Sequence, residues 1–186
     1  STGSGVAWEA AGGGVTFKEG GTNFTNSLMV GDDATGTLDN AQKNTALGID
    51  VFAALTTGDN NVAVGFEALK ANTTGSGNTS LGGSSLVANT TGASNVAVGT
   101  DTMGSNTEGA TNTAVGLSAL YANTTGSNNI AIGHDSLRFN TTASGNTAVG
   151  KKALYSTTTS GNNTAVGFQA GDAITTGDQG TYIGQD

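Results

Sequence analysis

Proline and cysteine are both absent from this 186-residue chain, and histidine occurs once. Without cysteine there is no disulfide framework, no thiolate metal site and no thiol nucleophile. With His134 alone, neither a histidine metal cluster nor a Ser-His-Asp arrangement can form within one chain. Without proline, no residue along the chain is barred from donating its backbone N–H to a ladder of strands. Charged residues make up only 11% and aromatics 5%. The six cations, Lys18, Lys43, Lys70, Arg138, Lys151 and Lys152, are too few and too scattered for a stripe that tracks phosphates, and the formal charge is −8, so nucleic acid is not an expected partner. No apolar run approaches the roughly 18 residues of a membrane span, so no membrane insertion is expected.

What is abundant is glycine, 31 residues, and ten of them fall in strict register. Gly31, Gly48, Gly65, Gly82, Gly99, Gly116, Gly133, Gly150, Gly167 and Gly184 stand 17 residues apart without slippage. Each closes a phrase such as Asn61-Val62-Ala63-Val64-Gly65. Taking its Asn as position one, position four is aliphatic in every copy, including Val64, Val98, Val115, Ile132, Val149 and Val166. Position three is Ala in seven copies, with Met29, Ser80 and Tyr182 the exceptions. Such phrases favour extended backbone, and an unbroken period implies one small unit stacked on copies of itself. A second apolar phrase, as in Ala68-Leu69-Lys70-Ala71, reads as another short strand, followed by an Asn-Thr-Thr-Gly turn. Neither phrase is long enough for a helix.

The expected fold is therefore all-β: a parallel β-roll or β-solenoid of about ten 17-residue coils over residues 27–186. Residues 1–26, with Trp8, Phe17 and Phe24 among glycines, read as an N-terminal cap or the end of a preceding module. In this reading position four of each coil stacks in the core over position four of the last. The Ala of position three then serves either close packing between chains or the roll's own narrow interior. Stacking also sets Asn over Asn and Thr over Thr in hydrogen-bonded ladders.

The phrase Asn112-Thr113-Ala114-Val115-Gly116-Leu117-Ser118-Ala119-Leu120, with its counterparts at Asn61, Asn146 and Asn163, resembles the head repeat of trimeric autotransporter adhesins. The longer unit carrying Asn-Thr-Thr-Gly is similar to repeat arrays of bacteriophage tail fibres. The likeness covers residues 27–186, although the adhesin head unit is shorter than seventeen residues. It implies a homotrimeric fibre, extracellular, on a cell surface or exposed on a virion, that positions or performs attachment to a cell-surface or glycan receptor.

Candidate sites are few. Position seven is acidic in six of ten copies, at Asp33, Asp50, Glu67, Asp101, Asp135 and Asp186, but Ser84, Ser118, Lys152 and Gln169 interrupt the row. It reads as a solvated edge, with neither metal nor cofactor expected. A period that leaves no room for loop insertions argues against a hydrolytic cleft, so no enzyme is expected. His134 reads as an exposed corner residue. Variation concentrates at position six (Phe66, Leu117, Phe168) and position ten (Tyr121, Arg138, Tyr155), a possible binding face. The expected role is a non-enzymatic structural and adhesive fibre segment. The alternatives are a subunit of a head-to-tail extracellular filament, in which the last phrase is completed by residues 1–26 of the next chain, and an ice-binding solenoid.

Overall fold

A computed structural model of the protein describes residues 16–21, 24–31 and 40–184. Trp8, Asp33 and Asp186 lie outside the described residues. The chain is an all-β parallel solenoid. β1 (Thr16–Gly21) and β2 (Phe24–Gly31) form an antiparallel hairpin, and β2 then pairs in parallel with the short β3 (Ala41–Gln42) and with β4 (Thr45–Gly48). One three-residue rung follows in each repeat: β5 (Val62–Val64), β6 (Thr79–Leu81), β7 (Val96–Val98), β8 (Thr113–Val115), β9 (Ile130–Ile132), β10 (Thr147–Val149), β11 (Thr164–Val166) and β12 (Thr181–Ile183). Every rung pairs with the residue 17 positions on, so β4 to β12 enclose eight turns in perfect register.

The two faces of each strand are the reverse of the expected arrangement. Position three points inward: Ala46, Ala63, Ser80, Ala97, Ala114, Ala131, Ala148 and Ala165 are buried. Position four points outward. Val64, Val98, Val115 and Val149 are half-buried, Ile132 and Val166 exposed, and Leu47 is 50% exposed. Space decides it. A 17-residue ring already encloses the Asn of position one, a second Asn at position twelve and the large side chain of position nine. What remains opposite the strand admits a methyl group and little more, and close-packed interiors do not accommodate the excess.

The large core residues come from the second apolar phrase: Phe52, Leu69, Leu86, Met103, Leu120, Leu137 and Leu154 are fully buried. That phrase is a chain of turns, not a strand. Positions seven and nine both have positive φ, as at Glu67 (57°) and Leu69 (52°), repeated coil after coil to Lys152 (60°) and Leu154 (49°). Between positions seven and nine the chain turns its donors from one neighbouring coil to the other. Glu67 N–H donates to Ile49 O in the coil before, and Leu69 N–H to Ser85 O in the coil after. Turn segments thus join the inter-coil ladder as strands do, and tight turns within a coil, such as Asn72 N–H to Leu69 O, take up further backbone groups.

The glycine of position five has φ between 131° and 144° from Gly48 to Gly167, a region open to glycine alone. It also lies against the next coil. A Cβ on Gly116 would sit 2.7 Å from both the carbonyl carbon and oxygen of Gly133. The corner is therefore glycine for two independent reasons.

Two buried asparagine columns run along the rod, one from Asn44 to Asn163 and a shorter one from Asn72 to Asn140. At position one, each backbone N–H donates to the side-chain Oδ1 of the Asn below, as from Asn78 to Asn61 at 2.9 Å. At position twelve, amide bonds amide: Asn89 to Asn72 (2.9 Å), Asn106 to Asn89 (2.8 Å), Asn123 to Asn106 (2.7 Å) and Asn140 to Asn123 (2.8 Å). Both columns converge on the carbonyl of position fifteen. Gly75 O, for example, accepts from Asn61 and Asn72, each at 2.9 Å. Only a side chain with a donor and an acceptor on one short stem fits this role, and an aspartate would place an unpaired charge there. The twelve-column stops where Thr157 replaces Asn. The Thr157 hydroxyl donates to Ile174 O instead, and Asn140 Oδ1 is left buried without a partner.

Candidate functional site

Turning the strands inside out leaves a continuous outward sheet face. Its position-four column runs from Leu47 through Val64, Leu81, Val98, Val115, Ile132, Val149 and Val166 to Ile183. Beside it, position two alternates Thr45, Val62, Thr79, Val96, Thr113, Ile130 and Thr147 before Thr164 and Thr181. Side chains two residues apart share one face of a strand, so both columns lie on the same surface. At about 4.8 Å per rung, the nine rungs extend roughly 38 Å by about 10 Å across, or some 400 Å² of flat surface. A charged side chain is found nowhere on it.

Position six lies just beyond the Gly corner. Phe66, Leu117 and Phe168 are exposed there, as expected, at about half of their full accessible surface. The structure does not bring them together. They are spaced three turns apart, and Gly83, Thr100, His134 and Lys151 occupy coils between them. Leu117 and Phe168 are isolated exposed hydrophobes, and Phe66 follows the exposed Ile49 at the same position of the coil before.

Position ten is different. Tyr121, Arg138 and Tyr155 stand on consecutive coils, so stacking places them in one column. The Arg138 guanidinium lies 5.3 Å from the centre of the Tyr121 ring and 5.9 Å from that of Phe139. Phe139 packs edge-on against Tyr155, with centroids 5.0 Å apart and planes at 78°. Lys152 Nζ sits 5.0 Å above the Tyr155 ring. Phe139 and Tyr121 are exposed and Tyr155 half-buried. The sequence reading missed Phe139 and Lys152 as members. Their signal was spacing, since Phe139 follows Arg138 and Lys152 stands 17 residues after Asp135.

Among the described position-seven acids, Asp50, Glu67 and Asp135 are held in ion pairs. Lys70 bridges Asp50 in the preceding coil (3.1 Å) and Glu67 in its own (2.7 Å). These hydrogen bonds, that to Glu67 first, hold the Lys70 amine above the usual lysine range. Asp135, expected in a solvated edge, is instead buried. It accepts from Arg138 Nη1 and lies 3.2 Å from Nε2 of His134, whose own side chain is exposed as expected. The Arg138 pairing explains the difference, since a carboxylate is buried readily only beside a cation. Among the described residues no group of acids and histidine is placed to hold a metal ion, and no helix is long and apolar enough to cross a membrane. None of the protein-family models, curated proteins or solved structures compared with this chain matches it.

Proposed function

We propose that the protein is a non-enzymatic fibre segment whose chains associate side by side, as a homotrimer, through the outward sheet face. The observation that carries this reading is the uncharged face itself. Nine rungs present in-register aliphatic side chains to the outside, while the remaining surface carries the charge. A patch of this size is at the level at which monomer surfaces become functional. It runs parallel to the rod axis, so chains that share it lie alongside one another and leave both ends free. The role that follows is reach and stiffness for attachment outside the cell or on a virion. An ice-binding role is less well supported, because Val62, Val96 and Ile130 interrupt the hydroxyl column of the flat face.

Light scattering tests the reading. The wild-type chain is expected near three times 18.1 kDa. V98D and I132D, both on outward positions, are expected to give a monomer with an unchanged circular dichroism spectrum. A folded wild-type monomer at micromolar concentration would refute the assembly.

A further inference from the structure

The cation–aromatic column is not something the fold requires. The other coils fill position ten with Ala53, Lys70, Val87, Gly104 and Asp172, and they stack equally well. Nor does stability explain it, since an exposed cation–π pair contributes only about 0.5–1 kcal/mol. The column also gathers charge of the minority sign. Residues 134–155 hold Arg138, Lys151 and Lys152 against Asp135 alone, a net +2 in a chain of net −8. The single histidine, 44% exposed at its side chain, stands at the same corner.

We propose that Tyr121, Arg138, Phe139, Lys152 and Tyr155 form a binding site for an acidic oligosaccharide bearing carboxylates. Phe139 and Tyr121 are exposed, so apolar ring surface is there to meet the C–H side of a pyranose. Cations interleaved with those rings take the carboxylates. Asp135 engages Nη1 of Arg138, which orients the guanidinium; that group carries five N–H donors, so further ones are there to bind an anion. The column from Tyr121 to Tyr155 covers two coil spacings, on the order of 10 Å, which suits a disaccharide. The acidic remainder of the rod repels a polyanion and so confines it to this patch. The partner class follows from the pairing of ring faces with cations. A polyanion without rings would use the charge alone, and a neutral sugar the rings alone.

This inference deepens the attachment reading above but does not use the sheet face, so the two fail separately. The test is calorimetric titration of the full-length chain with tetragalacturonate at low salt, with light scattering alongside. The expected dissociation constant is at or below about 1 mM, a modest affinity for a shallow surface site. R138Q/K152Q is expected to weaken binding by about tenfold or more, and Y121A and F139A by several-fold. K70Q, whose neighbours at position ten are Ala53 and Val87, should bind as wild type does. Tetraglutamate, with matched charge and no sugar ring, should bind at least about tenfold more weakly. Three results would overturn the proposal: no heat with tetragalacturonate up to about 10 mM; tetraglutamate binding as tightly as the sugar; or R138Q/K152Q changing the oligomeric state, which would assign the patch to contact between copies.

Discussion

Replacing Gly116 with alanine separates two costs that the corner glycine avoids together. The first is dihedral: φ of 132° is foreign to any residue with a Cβ, and holding such a conformation costs about 1–3 kcal/mol. The second is collision, because the new methyl would stand 2.7 Å from the Gly133 carbonyl carbon and oxygen. Those atoms are backbone, locked into the next coil by its own ladder, so no rotamer change relieves them. Overpacking of this kind adds about 1–3 kcal/mol. The expected loss for G116A is thus about 2–6 kcal/mol, a large part of the 5–15 kcal/mol typical of a folded protein. Two controls apportion it. Gly184 shares a positive φ, 105°, but a Cβ there meets nothing within 4 Å, so G184A isolates the dihedral cost. Gly83 has neither constraint, and G83A should be neutral or stabilising by up to about 1 kcal/mol. Guanidinium unfolding followed by circular dichroism measures all three. Because stability in a stacked rod is set by neighbouring units, amide exchange in residues 113–137 reads the same loss locally. G116A within about 1 kcal/mol of wild type would refute the inter-coil contact as described.

Other outcomes follow from the same geometry. L120M should cost less than about 1.5 kcal/mol, whereas L120I, equal in volume but β-branched at a φ of 53°, should lose about 1–2 kcal/mol more in thermal or chemical unfolding. T157N should raise stability by about 1 kcal/mol, by giving the orphaned Asn140 Oδ1 the donor that every earlier rung of its column receives; an unchanged unfolding midpoint would count against the ladder. Lys70 has a folded pKa above its ordinary 10.5, so its ion pairs stabilise the fold below that value and are lost as pH rises through the raised one. Melting temperatures of wild type measured between about pH 9 and 12 should therefore fall more steeply than those of K70M.

Much of this was legible in the sequence. The 17-residue period fixed the unit and the register, and Gly116 and its equivalents marked the corner. The stacked amides were readable from Asn72 and Asn89, and the exposure of Phe66, Leu117 and Phe168 from their place past the corner. The facing of the strand was not. Val115 is more hydrophobic than Ala114, and hydrophobicity alone sends the valine inward. The room inside the ring decides otherwise, and that room depends on Leu120, Asn112 and Asn123 converging from other parts of the coil. The turn conformation of the second phrase did leave a trace. In the eight coils from Asn44 onward, position nine holds Leu, Met, Phe or Gly, and position seven Asp, Glu, Ser, Lys or Gln. In these coils neither holds Val, Ile or Thr, the residues least able to adopt left-handed backbone. The cation–aromatic column was half visible in Tyr121, Arg138 and Tyr155. Phe139 and Lys152 join it only through contacts between coils.

The in-register ladders also make this rod a digital object. Every bond between neighbouring coils joins residues related by the same 17-residue step or by a fixed offset from it, so the fold is unchanged by translation along its axis. Removing one whole period, for instance residues 95–111, brings Asn112 onto Asn78 and Gly116 onto Gly82 with each partner chemically the same. Removing one residue fewer brings Val115 where Gly is required and turns every later strand inside out. Genetic insertion and deletion can therefore tune the length of the protein in increments of about 4.8 Å, and selection has a ruler with marks at whole coils only.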